Sequence, residues 1–256
     1  MSSPAEIAKI ICKNSMAGVG SSFNLINAYS FTNLRNNKQY QQALLGNSTN
    51  YVDGKPLSLY LSLRDGRSRI NSRGMEIFNE TLTEQAGKGV KNFFVYFERP
   101  DANLLLEYVQ EYISAENAFL IPISDSLDLV TISRHIRQKV QTTQPYIVWL
   151  MLGSPKQEIV SSLISNSLAC PVIGLGGVID FVTGKVPEAP KILQLVYLEW
   201  LFRFVREPIR LLMRYTTGNL VFLLAINTDF FFIVRSKHKE NQTREDDDIK
   251  FHLSMT

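Results

Sequence analysis

The sequence predicts an α/β fold with a mostly parallel, Rossmann-like sheet that is flanked by helices. Between residues 90 and 177, four segments are apolar on both faces of a strand, and amphipathic helical segments separate them. Strands buried on both faces and joined by helices are typical of parallel sheets, because the crossover helices cover the faces of the sheet. The length of 256 residues is enough for one large domain or two small ones that share a core.

The predicted elements follow one another closely. A short helical turn near the N-terminus precedes a strand over residues 23–26, which ends at Asn27. The later elements are a helix over 36–46, a short strand at 51–52, helices over 75–89, 102–116, 129–141 and 156–168, and strands over 90–97, 118–124, 146–152 and 171–177. Glycines end the helix over 75–89, as is common for helices.

The C-terminal part of the chain departs from this alternation. Residues 189–215 are predicted to be an aromatic and arginine-rich helical region, which Pro208 breaks or kinks because proline removes a backbone donor. Residues 218–234 are strongly apolar, but the segment is shorter than the roughly 20 residues that span a bilayer, and Asp229 interrupts it. We therefore predict an α/β core over 1–190, a helical appendage over 191–235 and a charged, disordered tail over 236–256.

Composition and motifs exclude several classes of function. The formal net charge of +3 does not indicate a nucleic-acid partner. Cys12 and Cys170 form no CxxC pair, so we expect buried free thiols in a reducing compartment. The N-terminus has no basic segment followed by an apolar run, which favours a cytoplasmic protein. The histidines lack metal-ligand spacing and no internal DxD pair is present, so neither a metal nor a cofactor is expected.

The first candidate site is the loop after the predicted strand over 146–152. In parallel α/β sheets, ligands bind beyond the carboxyl ends of the strands. The loop is a tight turn that opens a helix, whose free N–H groups favour an anion such as a diphosphate. Its residues are Gly153, Ser154, Pro155, Lys156, Gln157 and Glu158. Lys156 can add a charge, and Gln157 and Glu158 can bind a sugar or ribose. The alternative is a capped helix start with solvated polar residues, since such turns are common.

Two more strand ends carry candidate residues. Gly174, Gly176 and Gly177 form a glycine-rich loop that lets the backbone approach a ligand closely, although it lacks the GxGxxG pattern of dinucleotide sites. Asp180 follows it and can bind the same ligand or simply cap a helix. Asp53, in an Asp-Gly turn, can act as a general base towards an acceptor hydroxyl or serve only as a turn residue.

Arginines recur at helical spacing in the predicted appendage. They are Arg203, Arg206, Arg210 and Arg214, which fall on one helical stripe. Arginine suits forked contacts with phosphate, and neighbouring aromatic residues can enter a membrane interface. A solvated helix face paired with glutamates is the alternative.

Together these segments resemble the bacterial WecG/TagA/CpsF glycosyltransferase family. The residues that carry the resemblance are GSPKQE at 153–158, PVIGLGGVIDFVTGKV at 171–186, AP at 189–190, LEWLFRFVREPIR at 198–210 and RYTTGN at 214–219. Fainter similarity extends to LINAYS at 25–30, VDG at 52–54 and Gly74-Met75-Glu76.

The resemblance implies an inverting, metal-independent transfer of a hexose or N-acetylhexosamine from a UDP-sugar to a polyprenyl-diphosphate-linked sugar, in cell-surface polysaccharide synthesis. It also implies a cytoplasmic protein that is peripheral on the inner face of the bacterial membrane, which it meets through the appendage. By position, Asp53 matches the proposed catalytic aspartate of the family, and Asn27 matches an asparagine at an early strand end. The appendage arginines that match are Arg203, Arg210 and Arg214, which are expected to bind the donor diphosphate.

Three positions differ from the pattern of the family. Leu25 stands where a threonine is common, Glu188 replaces an arginine, and Glu76 replaces an aspartate. The first two favour an alternative, in which the chain is a non-catalytic nucleotide-sugar-binding or membrane-assembly homologue. Intact Asp53 and the arginine stripe favour the enzyme. A Rossmann oxidoreductase is set aside, because the glycine fingerprint is missing.

Overall fold

The computed structural model describes most of the predicted α/β core and little of the chain beyond residue 190. The described residues are 3–27, 29–30, 33–34, 37–46, 48–54, 57–58, 61–62, 72–140, 145–187, 189–190, 193, 202, 205, 233–235 and 250–252. Over these residues, no helix is both long enough and apolar enough to cross a bilayer.

Helices and strands alternate along the core. The helices are α1 (Pro4–Met16), α2 (Lys38–Leu45), α3 (Gly74–Glu84), α4 (Ala102–Gln110), α5 (Leu129–Lys139), α6 (Lys156–Ser165) and α7 (Val178–Val182). The strands are β1 (Ser21–Ile26), β2 (Ser48–Val52), β3 (Lys91–Phe97), β4 (Ala118–Ile123), β5 (Tyr146–Met151) and β6 (Pro171–Gly174), with a separate antiparallel pair of β7 (Ile233–Arg235) and β8 (Lys250–His252). The boundaries of the three predicted parts of the chain stay a prediction.

The first six strands form one parallel sheet, in the order β2-β1-β6-β5-β3-β4. The predicted α/β fold with a parallel sheet is therefore confirmed. Its central strands are apolar on both faces, and all six residues of β5 are buried. That burial is the physical reason for the continuous apolar runs in the sequence.

Helices cover both faces of the sheet. Apolar residues of α1, α3, α4 and α7 share one buried cluster, and those of α5 and α6 share another on the opposite face. A third cluster joins α2 to the first turn of α6, so α6 lies between α2 and α5. Cys12 and Cys170 are buried free thiols, as predicted, and burial raises the pKa of Cys12 to about 11 and that of Cys170 to about 12.

A buried polar network fixes the aromatic core near the start of β3. Trp149 is fully buried, with its ring edge-on to Phe78 at 5.1 Å between ring centroids. Its indole Nε1 donates a hydrogen bond to Asn92 Oδ1 at 2.9 Å. Asn92 also exchanges two hydrogen bonds with Gln85 and donates one to the Val90 carbonyl. Asn92 therefore satisfies several groups that have no access to water.

We expect Asn92→Leu to lower the free energy of unfolding by about 2–4 kcal/mol, because it leaves the Trp149 N–H and the Gln85 amide buried without partners. Urea unfolding followed by Trp fluorescence measures this change. The control is Asn103→Leu, which places the same substitution at an exposed position of α4 and should change the unfolding free energy by at most about 0.5 kcal/mol. A change for Asn92→Leu as small as that of the control would contradict the role of the network.

Candidate functional site

The carboxyl ends of the parallel strands all lie on one edge of the sheet. The connections after β3 and β5, which are neighbours, leave in opposite directions: α4 leads outward to β4 on one face, and α6 leads back to β6 on the other. Open α/β sheets bind ligands at such a switch point. The residues that follow β1, β2, β3, β5 and β6 are therefore the candidates for a functional site.

The structure brings Asn27 and Asp53 together. Ile26 pairs with Val52 in the sheet, so Asn27 and Asp53 each come directly after one of two paired strands. The Asp53 backbone N–H donates a hydrogen bond to the Ile26 carbonyl at 2.8 Å. Gly54 has a φ of 93°, and a Cβ built there would lie 3.7 Å from the Asn27 Cβ. The turn thus places residues 27 and 53, both half-buried, next to each other at this edge.

The loop before α6 is a tight turn at the same edge of the sheet. Gly153 has a φ of 74°, and its carbonyl accepts a hydrogen bond from the Gln157 backbone N–H at 3.0 Å. The Ser154–Pro155 peptide bond is cis. Among the described residues, no side chain caps the N-terminus of α6. The alternative interpretation of this loop, which expected a capped helix start, is therefore not supported. Helix N-termini without a side-chain cap favour anions, because the helix dipole places partial positive charge there.

Gln157 and Glu158 lie in the interior, although the alternative interpretation of the loop expected them to be solvated. Their exposed fractions are 5% and 1%. Gln157 Nε2 donates a hydrogen bond to Glu158 Oε1 at 3.2 Å, whereas Gln157 Oε1 accepts none from the part of the chain that the structure describes. A buried amide oxygen without a donor costs about 1–3 kcal/mol. Gln157 Oε1 is therefore a buried acceptor without a donor, next to the Gly176 turn.

The glycine-rich loop after β6 packs directly on this turn. A Cβ built on Gly176 would lie 2.6 Å from both the Gly153 Cα and Gln157 Oε1. A Cβ built on Gly174 would lie 3.1 Å from Gln157 Nε2. Gly177, in contrast, is exposed, and no described residue would lie within 4 Å of a Cβ built there. Gly176 is thus needed for contact between the two loops, and Gly177 is not.

The Lys156 side chain reaches towards the ends of β3 and β4. Its Nζ lies 2.6 Å from Asp125 Oδ1 and 4.6 Å from the centroid of the Phe97 ring. The side chain is 41% exposed, so the ammonium group remains accessible from solvent.

Comparison with known protein families decides what kind of protein carries this site. The model of the Glycosyl transferase WecG/TagA/CpsF family matches residues 2–235. The chain belongs to this family. The resemblance predicted from the sequence is confirmed, and the family is one of glycosyltransferases.

Arg99 lies at the edge of the candidate site, and the sequence did not indicate a role for it. It follows β3, and its guanidinium donates to Asp180 Oδ1 at 2.9 Å, to Thr183 Oγ1 at 3.0 Å and to both carboxylate oxygens of Asp101. The hydrogen-bonded guanidinium holds the pKa of the Asp101 carboxyl well below its usual range. The only sequence signal was the position of Arg99, two residues beyond the predicted strand over 90–97.

The predicted appendage arginines, Arg203, Arg206, Arg210 and Arg214, lie outside the described residues, as does Glu188. Their contacts with a donor diphosphate stay a prediction. Leu25 is described: a Cβ on Gly74 would lie 3.1 Å from Leu25 Cδ1, 3.4 Å from Leu175 Cδ2 and 3.5 Å from Val178 Cγ2. Leu25 therefore belongs to an apolar wall below the edge.

Proposed function

We propose that the protein is an inverting glycosyltransferase that moves a sugar from a UDP-sugar to a lipid-diphosphate-linked sugar in cell-surface polysaccharide synthesis. One observation carries the proposal: a carboxylate, Asp53, and an uncapped helix N-terminus beside the buried acceptor Gln157 Oε1 share one edge of the sheet. They follow β2 and β5, with β1 and β6 between these strands. Three strand spacings amount to about 14 Å, which is room for a sugar and a diphosphate.

The proposed reaction is a single displacement. Asp53 accepts the proton of the acceptor hydroxyl while the hydroxyl oxygen bonds to the anomeric carbon of the sugar, and the bond from that carbon to the diphosphate oxygen breaks. UDP leaves with the electron pair, and the configuration of the sugar inverts. Asn27, beside Asp53, orients the carboxylate or the acceptor.

The leaving diphosphate needs positive charge and N–H donors that are already in place, because these stabilise the transition state more than the ground state. We assign that role to the start of α6 and to the appendage arginines Arg203, Arg210 and Arg214. The proposed donor site around them comprises Gly153, Ser154, Pro155, Lys156, Gln157, Glu158, Gly176, Gly177 and Asp180, each of which binds the donor or holds a residue that does. No cofactor is required by this reaction.

The proposed location is the inner face of the bacterial cell membrane, where the acceptor lipid is found. The aromatic and arginine-rich sequence of residues 189–215 and the apolar segment 218–234 support it, since such segments lie in membrane interfaces.

The second candidate is a homologue that binds a nucleotide sugar without transferring it. The apolar wall around Leu25 favours it, because a leucine there offers no hydroxyl to a donor or acceptor at the end of β1.

The deciding experiment incubates the full-length protein with a panel of UDP-sugars and a polyprenyl-diphosphate-linked sugar in vesicles, without added metal. Mass spectrometry of the lipid should show a gain of one hexose or N-acetylhexosamine. Binding of UDP-sugars without any mass gain would favour the second candidate. If the protein neither binds UDP-sugars nor transfers a sugar, both candidate functions are wrong.

A further inference from the structure

The guanidinium of Arg99 ties together two segments that are distant in the sequence. Asp101 belongs to the loop that leads from β3 into α4, whereas Asp180 and Thr183 belong to α7 and its end. The side chains of Arg99 and Asp180 are only 14% and 18% exposed. A charge pair that is largely shielded from water interacts more strongly than a surface pair. We call this group of four side chains the Arg99 clamp.

The clamp leaves Arg99 little capacity to bind a phosphate. A guanidinium has five N–H donors. One edge of the fork is held by both oxygens of Asp101, and Thr183 and Asp180 accept two further hydrogen bonds. Four of the five donors are therefore used within the protein, whereas an arginine that grips phosphate presents an open fork.

The element that the clamp holds lies next to the site. α7 starts directly after Gly176 and Gly177, and the Val178 N–H donates to the Leu175 carbonyl at 2.9 Å. Gly176 in turn lies against Gly153 and Gln157 without space for a Cβ. A displacement of α7 therefore moves the Gly176 turn, and with it the turn that opens α6.

We propose that Arg99 and Asp180 are positioning residues: their ion pair fixes α7 so that the Gly176 turn holds Gly153 and Gln157 in the geometry that binds the donor diphosphate and sugar. Asp180 thus acts through Arg99 and not by touching the donor. This inference rests on the proposed function, since it assigns the donor to the α6 turn. A direct contact between Asp180 and the donor is the competing explanation.

A double-mutant cycle on UDP binding separates the two. The variants are Arg99→Ala, Asp180→Asn and their combination, and calorimetry gives the Kd of UDP well below the melting temperature of every variant. We expect each single change to weaken UDP binding by about tenfold, because small displacements of binding groups are costly. The double variant should be no weaker than the worse single one, because both act through one contact.

Two further measurements sharpen the test. In steady-state assays, the KM for the UDP-sugar should rise while kcat changes little, which a loss of folded protein would not produce. The controls are Arg134→Ala and Glu111→Gln, exposed positions on α5 and at the end of α4, which should leave the Kd of UDP unchanged. Arg99→Lys, which keeps the charge but cannot reach all three partners, should fall between the wild type and Arg99→Ala.

Hydrogen–deuterium exchange without ligand tests the clamp independently of the proposed function. The peptide over residues 174–183 should exchange faster in Asp180→Asn than in the wild type. If Asp180→Asn exchanges faster but the wild type binds no UDP, the proposed function is wrong, whereas the structural role of the Arg99 clamp is supported. The positioning role would be overturned if the Kd of UDP in the double variant rose by the product of the two single fold-changes. Unchanged Kd values in both single variants would also overturn it.

Discussion

Replacing Asp53 by asparagine should lower kcat for sugar transfer by about a thousandfold, since a positioned general base contributes about 10²–10⁴ to the rate. The substitution keeps the shape of the side chain and the hydrogen bond from the residue 53 backbone to the Ile26 carbonyl, so the fold and the neighbouring Asn27 stay in place. It removes only the group that accepts the proton. The Kd of UDP should change less than twofold, because the proposed donor-binding residues come after β5 and β6, whereas Asp53 comes after β2.

The matched control for this variant is Glu116→Gln. Glu116 lies in the 3₁₀ turn that precedes β4, at the amino edge of the sheet, opposite the site. Its loss of one carboxylate should leave kcat and the Kd of UDP as in the wild type. Turnover of Asp53→Asn within a factor of two of the wild type would remove Asp53 from the mechanism, whatever the fate of the donor site.

The sheet was predictable because apolar strands and amphipathic helices alternate regularly along the sequence. β3, β5 and β6 are buried on both faces, which requires continuous apolar runs, and amphipathic helices separate them. The length of the N-terminal helix was underestimated: a short helical turn was predicted, and α1 extends over Pro4–Met16. Ser3 and Glu6 form a capping box at the start of α1, and the S-x-x-E spacing that encodes it was readable in the sequence.

The burial of Gln157 and Glu158 was not predictable from the sequence. A polar run at a helix start is usually solvated, and helical periodicity assumes one face towards water. α6 has α2 on one side, α5 on the other and the sheet below it, so its first turn is enclosed. Only the order of the strands, which no local pattern encodes, places α6 in the middle of its layer.

Arg99 was missed for a related reason. Its partners Asp180 and Thr183 are 81 and 84 residues away in the chain. β3 and β6 are separated in the sheet by β5 alone, and that proximity depends on the crossover from β2 to β3, which skips three strands. By contrast, the pairing of Asn27 with Asp53 follows from β1 and β2 being both sequential and adjacent, the commonest arrangement of strands.

Gly176→Ala should disrupt the donor site, because the turn that opens α6 is packed against the α-carbon of Gly176. The added methyl would lie 2.6 Å from the Gly153 Cα and from Gln157 Oε1, and the Gly153 backbone cannot yield by a rotamer change. Either the turn before α6 or the turn after β6 has to shift. A shift of about 1 Å in a positioning element costs roughly 10²-fold in rate, so we expect kcat/KM for the UDP-sugar to fall about a hundredfold. Calorimetry should show weaker binding of UDP as well.

The same substitution at the next residue provides the comparison that identifies the cause. Gly177 has a φ of −83°, which alanine adopts freely, and its added methyl would meet no described residue within 4 Å. Gly177→Ala should therefore keep the unfolding free energy within about 0.5 kcal/mol of the wild type, whereas Gly176→Ala should lower it by about 1–3 kcal/mol, the usual cost of overpacking. Wild-type affinity for UDP in a folded Gly176→Ala protein would show that contact between the loops does not shape the donor site. The start of α6 would then have to bind the diphosphate by itself.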